Sequence, residues 1–154
     1  MRFGSRFTLL FGILSLLAAI FLIATFDRTL RRAVLDRVAE RLTGETGHLA
    51  DDLLSPARTA AQDDDFLRRA AVRLSCRLTL IGPDGIVLHE TGLLPAEIAR
   101  MDSHAGRPEV RDALALGRGV ARRYSTTHRM EMLYVARRLP DGRVLRAAVS
   151  ATRL

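Results

Sequence analysis

The side chains able to carry reaction chemistry are few in this 154-residue chain: four histidines, one cysteine, two tyrosines, and 24 basic residues against 17 acids. His48, His89, His104 and His128 show no repeated i, i+3 or i+4 spacing, so no metal centre is expected. Cys76 stands alone, which excludes an internal disulfide and a Cys-x-x-Cys zinc site; between Leu74 and Leu78 it reads as a small buried hydrophobe rather than a nucleophile. No glycine-rich phosphate loop occurs, so neither a cofactor nor a catalytic residue is expected. What remains is anion recognition. Residues 118–129 hold Arg118, Arg122, Arg123 and Arg129 with no acid among them, and Arg107 stands nearby. A guanidinium grips a carboxylate or phosphate through two parallel hydrogen bonds. Alternate residues of a strand face opposite ways, so Arg122 and Arg123 cannot line one pocket, and a solvated edge strand would carry the same pattern. The residues selected for a small anionic ligand are Arg123 and Arg107, Tyr124 or Tyr134 as a hydrogen-bonding wall, and His104 and His128 as a source of pH sensitivity.

The elements that must position these side chains change type along the chain. Phe7 to Phe26 is a run of twenty uncharged, mostly apolar residues, long enough at about 1.5 Å per residue to cross a hydrocarbon core of about 30 Å. It exceeds the apolar run of a signal peptide and ends at Ile23-Ala24-Thr25-Phe26 without a clear cleavage site, so an uncleaved anchor is expected. Arg2 and Arg6 precede the run and Arg28, Arg31, Arg32, Arg37 and Arg41 follow it, so a bare count would leave the C-terminal side in the cytoplasm. From Asp27 to about Leu54 the spacing is helical, with Leu30, Val34, Val38 and Leu42 four apart and Leu35, Val38, Leu42 and Leu49 on a seam; Gly44 and Gly47 mark a weak point. Ser55-Pro56 ends that segment. A second helix through Ala57 to Ser75 buries Leu67, Ala70, Ala71 and Leu74, with Asp63, Asp64 and Asp65 expected to cap the turn that starts at Phe66.

After Ser75 the period becomes that of strands. Arg77–Ile81 and Ile86–Leu88 flank Gly82-Pro83-Asp84-Gly85, and the same device returns as Met132–Leu139, Pro140-Asp141-Gly142 and Arg143–Ser150. Val120–Ser125 is a further strand, Pro95–Met101 a short helix, and Pro108 opens a helix to about Leu116 that Gly117 and Gly119 close. The order strand, strand, helix, helix, strand, strand, strand gives an α+β fold, a five-stranded antiparallel sheet with helices on one face. The long helix is expected to cover the other face or to lead back to the membrane. The formal charge of +7 does not make this a nucleic-acid binder, because aromatic residues are 5% of the chain and do not interleave with the basic ones. The basic residues are all arginine, and the absence of lysine, asparagine and tryptophan reads as GC-rich coding bias.

The stretch His104-Ala-Gly-Arg107-Pro108-Glu109-Val110, followed by Asp112-Ala-Leu114, Gly117-Arg-Gly119, Arg123-Tyr124-Ser125 and Met132-Leu133-Tyr134-Val135-Ala136, resembles the extracytoplasmic sensor region of membrane-bound histidine kinases of the phosphate-regulon type. With the Leu80–Leu88 hairpin the resemblance covers residues 77 to 149. It implies a PAS-like, also called Cache-like, sensor domain at 76–150, after a cytoplasmic tip and transmembrane helix at 1–26 and membrane-proximal helices at 27–75. It further implies a bacterial cytoplasmic membrane with residues 27–154 outside, a homodimer, and as partner either a membrane or extracytoplasmic protein or a small anion. Residues 151–154 are then a stub where a second span would begin, and the expected function is the signal-sensing input of a two-component kinase. The alternatives are an anchored sensor or adaptor domain for a partner protein, or the input of a chemoreceptor or a cyclic-dinucleotide enzyme. The kinase chemistry itself is not here: Leu49 follows His48 and Pro56 stands eight residues on, whereas the family's phosphoacceptor box has an acid directly after its histidine.

Overall fold

The computed structural model describes residues 3–53, 60–125 and 129–151, which divide into two compact units, Met1–Asp36 and Arg37–Leu154. Helix α1 runs Phe3–Leu53 without a break, so Gly44 and Gly47 do not interrupt it. Within the first unit the apolar side chains from Leu10 to Phe26 are exposed all round the helix. A helix with no polar face has no soluble partner to bury it in this unit, and by length and composition it is able to cross a membrane. Leu30, expected on the buried row, is also exposed.

The second unit is α+β. Its elements are the end of α1, then α2 (Ala60–Leu74), β1 (Arg77–Ile81), β2 (Val87–Glu90), α3 (Pro95–Ile98), α4 (Pro108–Leu116), β3 (Arg118–Ser125), β4 (Met130–Arg138) and β5 (Val144–Ser150). The strands form one antiparallel sheet in the order β2-β1-β5-β4-β3. Ser55 and Pro56, expected to end the first helix, lie outside the described residues, as do residues 152–154 of the terminal stub. Asp64 and Asp65 do not cap a helix at Phe66. They sit inside α2, where Asp64 pairs with Arg68 at 2.9 Å and Asp65 with Arg69 at 2.7 Å, one turn on. The i, i+4 spacing of acid and base carries the helix through the aspartates instead of starting it there.

Both hairpins close in the same way. Gly82 N–H donates to Ile86 O at 2.7 Å and Gly85 N–H to Gly82 O at 2.9 Å; Leu139 N–H donates to Arg143 O at 2.7 Å and Gly142 N–H to Leu139 O at 3.0 Å. Gly85 and Gly142 both take a positive φ, 85° and 87°, which the turn requires and a β-carbon would resist. Helix α4 starts on Pro108 and stops on Gly117, whose φ of 85° lets its N–H reach Ala113 O at 2.9 Å.

The sheet is covered on both faces. On one, Leu42, Leu49, Ala50 and Leu53 of α1 and Leu67, Ala70 and Ala71 of α2 pack on Leu78, Leu80, Val135, Leu145 and Ala147. On the other, Val110 and Ala113 of α4 pack on Ile81, Ala136 and Val144. Period-two alternation explains the division, since Leu145 and Ala147 of β5 join the first cluster and Val144 the second.

Candidate functional site

The α4 face is where the charged residues gather. In β2, β1 and β5 the register aligns Glu90 with Thr79 and Thr79 with Arg146, a polar row across the sheet. The next row places Arg77 beside Ala148 and Ala148 beside Tyr134; one row further, Arg123 stands opposite Met132. Glu109 comes down from the first turn of α4. Glu90 and Glu109 are both fully buried, and Arg146 is 3% exposed.

A buried charge is tolerated only when it is paired and hydrogen-bonded, and most of these are. Arg77 donates to Glu90 Oε1 from Nε at 3.0 Å and from Nη2 at 2.6 Å. Thr79 Oγ1 donates to Glu90 Oε2 and accepts from Arg146 Nη2 at 2.9 Å. Arg146 bridges the two acids, 3.4 Å from Glu90 Oε2 and 3.5 Å from Glu109 Oε1. Arg123 Nη2 donates to the same Glu109 oxygen at 3.2 Å, and its guanidinium lies 4.1 Å from the centre of the Tyr134 ring, a cation–π distance. Arg146 is 5.3 Å from that ring. Burial pushes the Arg146 pKa down, opposed by Glu90 and Glu109. The Arg107 backbone N–H donates to His104 O at 3.0 Å, and the His104 imidazole is held below its ordinary pKa, first by burial and then by the Arg146 charge.

Two buried atoms of this group have no partner among the described residues, Glu109 Oε2 and Arg123 Nε. Among the described residues three arginines meet two glutamates, and Arg77 and Arg123 reach solvent with 30% and 25% of their side chains exposed. That combination suits an anion with a hydrogen-bonding group. A cavity of about 790 Å³ has Arg77, Met132, Ala148 and Ser150 in its lining, the rest of which comes from α1, α2, the Ser75–Cys76 link, Thr91, Gly92 and Val149. The chemistry therefore centres on the cluster, not on the larger hollow. Cys76 lines that hollow, its thiol pushed up to about 11 by burial.

Of the residues selected from the sequence, Arg123 and Tyr134 are brought together, and His104 lies close enough to feel Arg146. Arg107 is exposed and caps α4 with its backbone. Tyr124 is 57% exposed and, one residue from Arg123 in the strand, points to the opposite face. His128 lies outside the described residues. Glu90, Thr79, Glu109 and Arg146 were not selected. Their one sequence signal is weak: Arg146 is a lone charge in the apolar strand Val144–Val149, and a charge there needs a buried partner that only the register supplies.

No protein-family model matches the chain, and no curated protein matches it in sequence. The fold is similar to that of a Bacillus subtilis protein, YkuI, a protein with an EAL domain solved in complex with its substrate c-di-GMP and calcium. The TM-score is 0.58 at 12% identity, over 79% of this chain and 34% of that one. This chain thus spans about a third of that structure, and the likeness is one of fold.

Proposed function

We propose that the chain is a membrane-anchored signal-sensing input module of the PAS-like kind, with the span at residues 7–26 and residues 27–154 outside the cytoplasmic membrane of a bacterium. One observation carries the reading: an α+β unit with an arginine-rich, incompletely satisfied cluster on one sheet face belongs to the same chain as a helix that is apolar and exposed all round. A small carboxylate- or phosphate-bearing ligand would meet Arg123 over Tyr134 and compete with Glu109 for it. Because Arg146 ties Glu109 to Glu90 across the sheet, such a ligand changes the packing of the sheet against its helices and biases a homodimer between two states. The resemblance of residues 77–149 to kinase sensor regions supports a two-component histidine kinase as the output. In the second reading the same input serves a cyclic-dinucleotide enzyme, which the likeness to a chain with an EAL domain favours.

The test joins alkaline phosphatase after Ser150 and, separately, titrates the full chain in detergent with inorganic phosphate and citrate. The reading expects an active phosphatase, which folds only outside the cytoplasm, and a rise in melting temperature with one of the anions that Arg123→Gln abolishes. An inactive phosphatase together with an active β-galactosidase fused at the same place would overturn it.

A further inference from the structure

A second site lies on the face that α2 covers, in a cleft of about 620 Å³ between α2, β2 and α3, a volume in the range of small-molecule sites. Leu80, Val87 and Ile98 give it an apolar wall, and His89, Asp63 and Asp64 line its polar side. His89 has 9% of its side chain exposed and its Nδ1 is 2.5 Å from Asp64 Oδ1. Burial holds the imidazole below its ordinary pKa, and in the neutral ring the Asp64 carboxylate keeps the proton on Nδ1, which leaves Nε2 as an acceptor. That Nε2 is buried with no partner among the described residues, and so is Asp63 Oδ1.

The cations of the cleft are already committed. Arg68 Nε donates to Asp64 Oδ2 at 2.9 Å, and Arg143 Nε donates to Asp141 Oδ2 at 2.7 Å while its Nη1 faces Asp63 Oδ2 at 3.7 Å. Two acceptors on the lining residues are left without a donor among the described residues, one of them on a carboxylate, next to an apolar wall. A buried acceptor without a donor is destabilising, so a ligand that supplies donors removes that cost on binding. We infer that this cleft binds a small primary amine with an apolar body, its ammonium hydrogen-bonded to Asp63 Oδ1 and His89 Nε2 and its body against Leu80, Val87 and Ile98. A carboxylate ligand would put its charge against Asp63 and find no guanidinium free of a carboxylate. The inference stands apart from the anion site, which uses the other face of the sheet and none of these residues.

Calorimetric titration of the full chain in detergent micelles with phenethylamine, and with its acid counterpart 3-phenylpropionate, tests it. Phenethylamine should bind with a Kd below about 1 mM and the acid at least about tenfold more weakly. Asp63→Asn and His89→Gln should each weaken the amine about tenfold or more, while Arg122→Gln, at the exposed far edge of the sheet, should leave it unchanged. In the unsubstituted protein labelled with ¹⁵N-histidine, the Nε2 resonance missing from the His89→Gln spectrum should shift as amine is added. An acid that binds as tightly as the amine, an amine affinity untouched by Asp63→Asn, or a His89 Nε2 signal unmoved at about 10 mM amine would each overturn the inference.

Discussion

At Gly119 the backbones of α4 and β3 approach too closely to admit a β-carbon, and Gly119→Ala makes the dependence of the cluster on that approach measurable. A β-carbon at Gly119 would overlap the Glu109 carbonyl oxygen and would lie 2.8 Å from the Glu109 carbonyl carbon and 3.0 Å from Ala113 N. All three atoms are backbone, so no rotamer change relieves the overlap. Restoring normal contact needs α4 to withdraw by roughly 1 Å, which pulls Val110 and Ala113, both fully buried, off Ile81, Ala136 and Val144. Overpacking of this kind costs about 1–3 kcal/mol, and with rigid backbone on both sides the expected loss is about 3 kcal/mol. For a unit of this size that lowers the melting temperature by about 12 °C. The control is Gly44→Ala: Gly44 is helical, exposed and has nothing within 4 Å of an added β-carbon, so alanine there should raise stability by about 0.5–1 kcal/mol. Circular dichroism melts of the full chain in mild detergent read both. If Gly119→Ala melts within about 1 °C of the unsubstituted protein, α4 does not press on β3 as described and the placement of Glu109 over Arg123 loses its support.

Arg146→Met leaves Glu90 and Glu109 buried without their shared cation and should cost about 3–5 kcal/mol in chemical denaturation; a loss under about 1 kcal/mol would mean that water reaches the cluster freely. His104 has a folded pKa below its unfolded one, so the unfolded chain binds the extra proton: its stability contribution is complete above about pH 6.5 and is lost as the pH falls from there toward the folded value. A stability profile between pH 8 and pH 5 should show this fall, and His104→Gln should make it shallower, the remainder coming from His89, whose burial also lowers its pKa. With its thiol at about 11, Cys76 should react with iodoacetamide at pH 8 about a hundredfold more slowly in the folded protein than in urea; equal rates would place it outside the core.

The site was only half legible beforehand, for a reason visible in its residues. Arg123 stood out because it sits in an acid-free stretch of arginines, a property of neighbours in the chain. Its acid, Glu109, lies fourteen residues earlier on a helix, and Glu90 and Arg146 meet from strands fifty-six residues apart. Charge clustering along the chain cannot register pairs that the sheet makes. Tyr124 and Tyr134 were equivalent as types, and strand phase separated them: Tyr134 shares a face with Arg123, Tyr124 does not. The acidic run Asp63–Asp65 read as a cap because aspartate favours helix starts; arginines four residues on from Asp64 and Asp65 made it helical interior instead.

Local rules, acting over a few residues, were enough to determine the apolar span, the two Pro-Asp-Gly hairpins, the α4 boundaries at Pro108 and Gly117, and the α+β order of elements. Each of these follows from backbone freedom or periodicity that a short window contains. The strand order β2-β1-β5-β4-β3, the covering of both faces by helices, and the joining of Glu90, Thr79, Arg146, Glu109 and Arg123 into one buried cluster were decided by tertiary structure alone. They depend on which strands pair and in what register, and a shift of one residue in that register would have turned the same arginine away from the same glutamates.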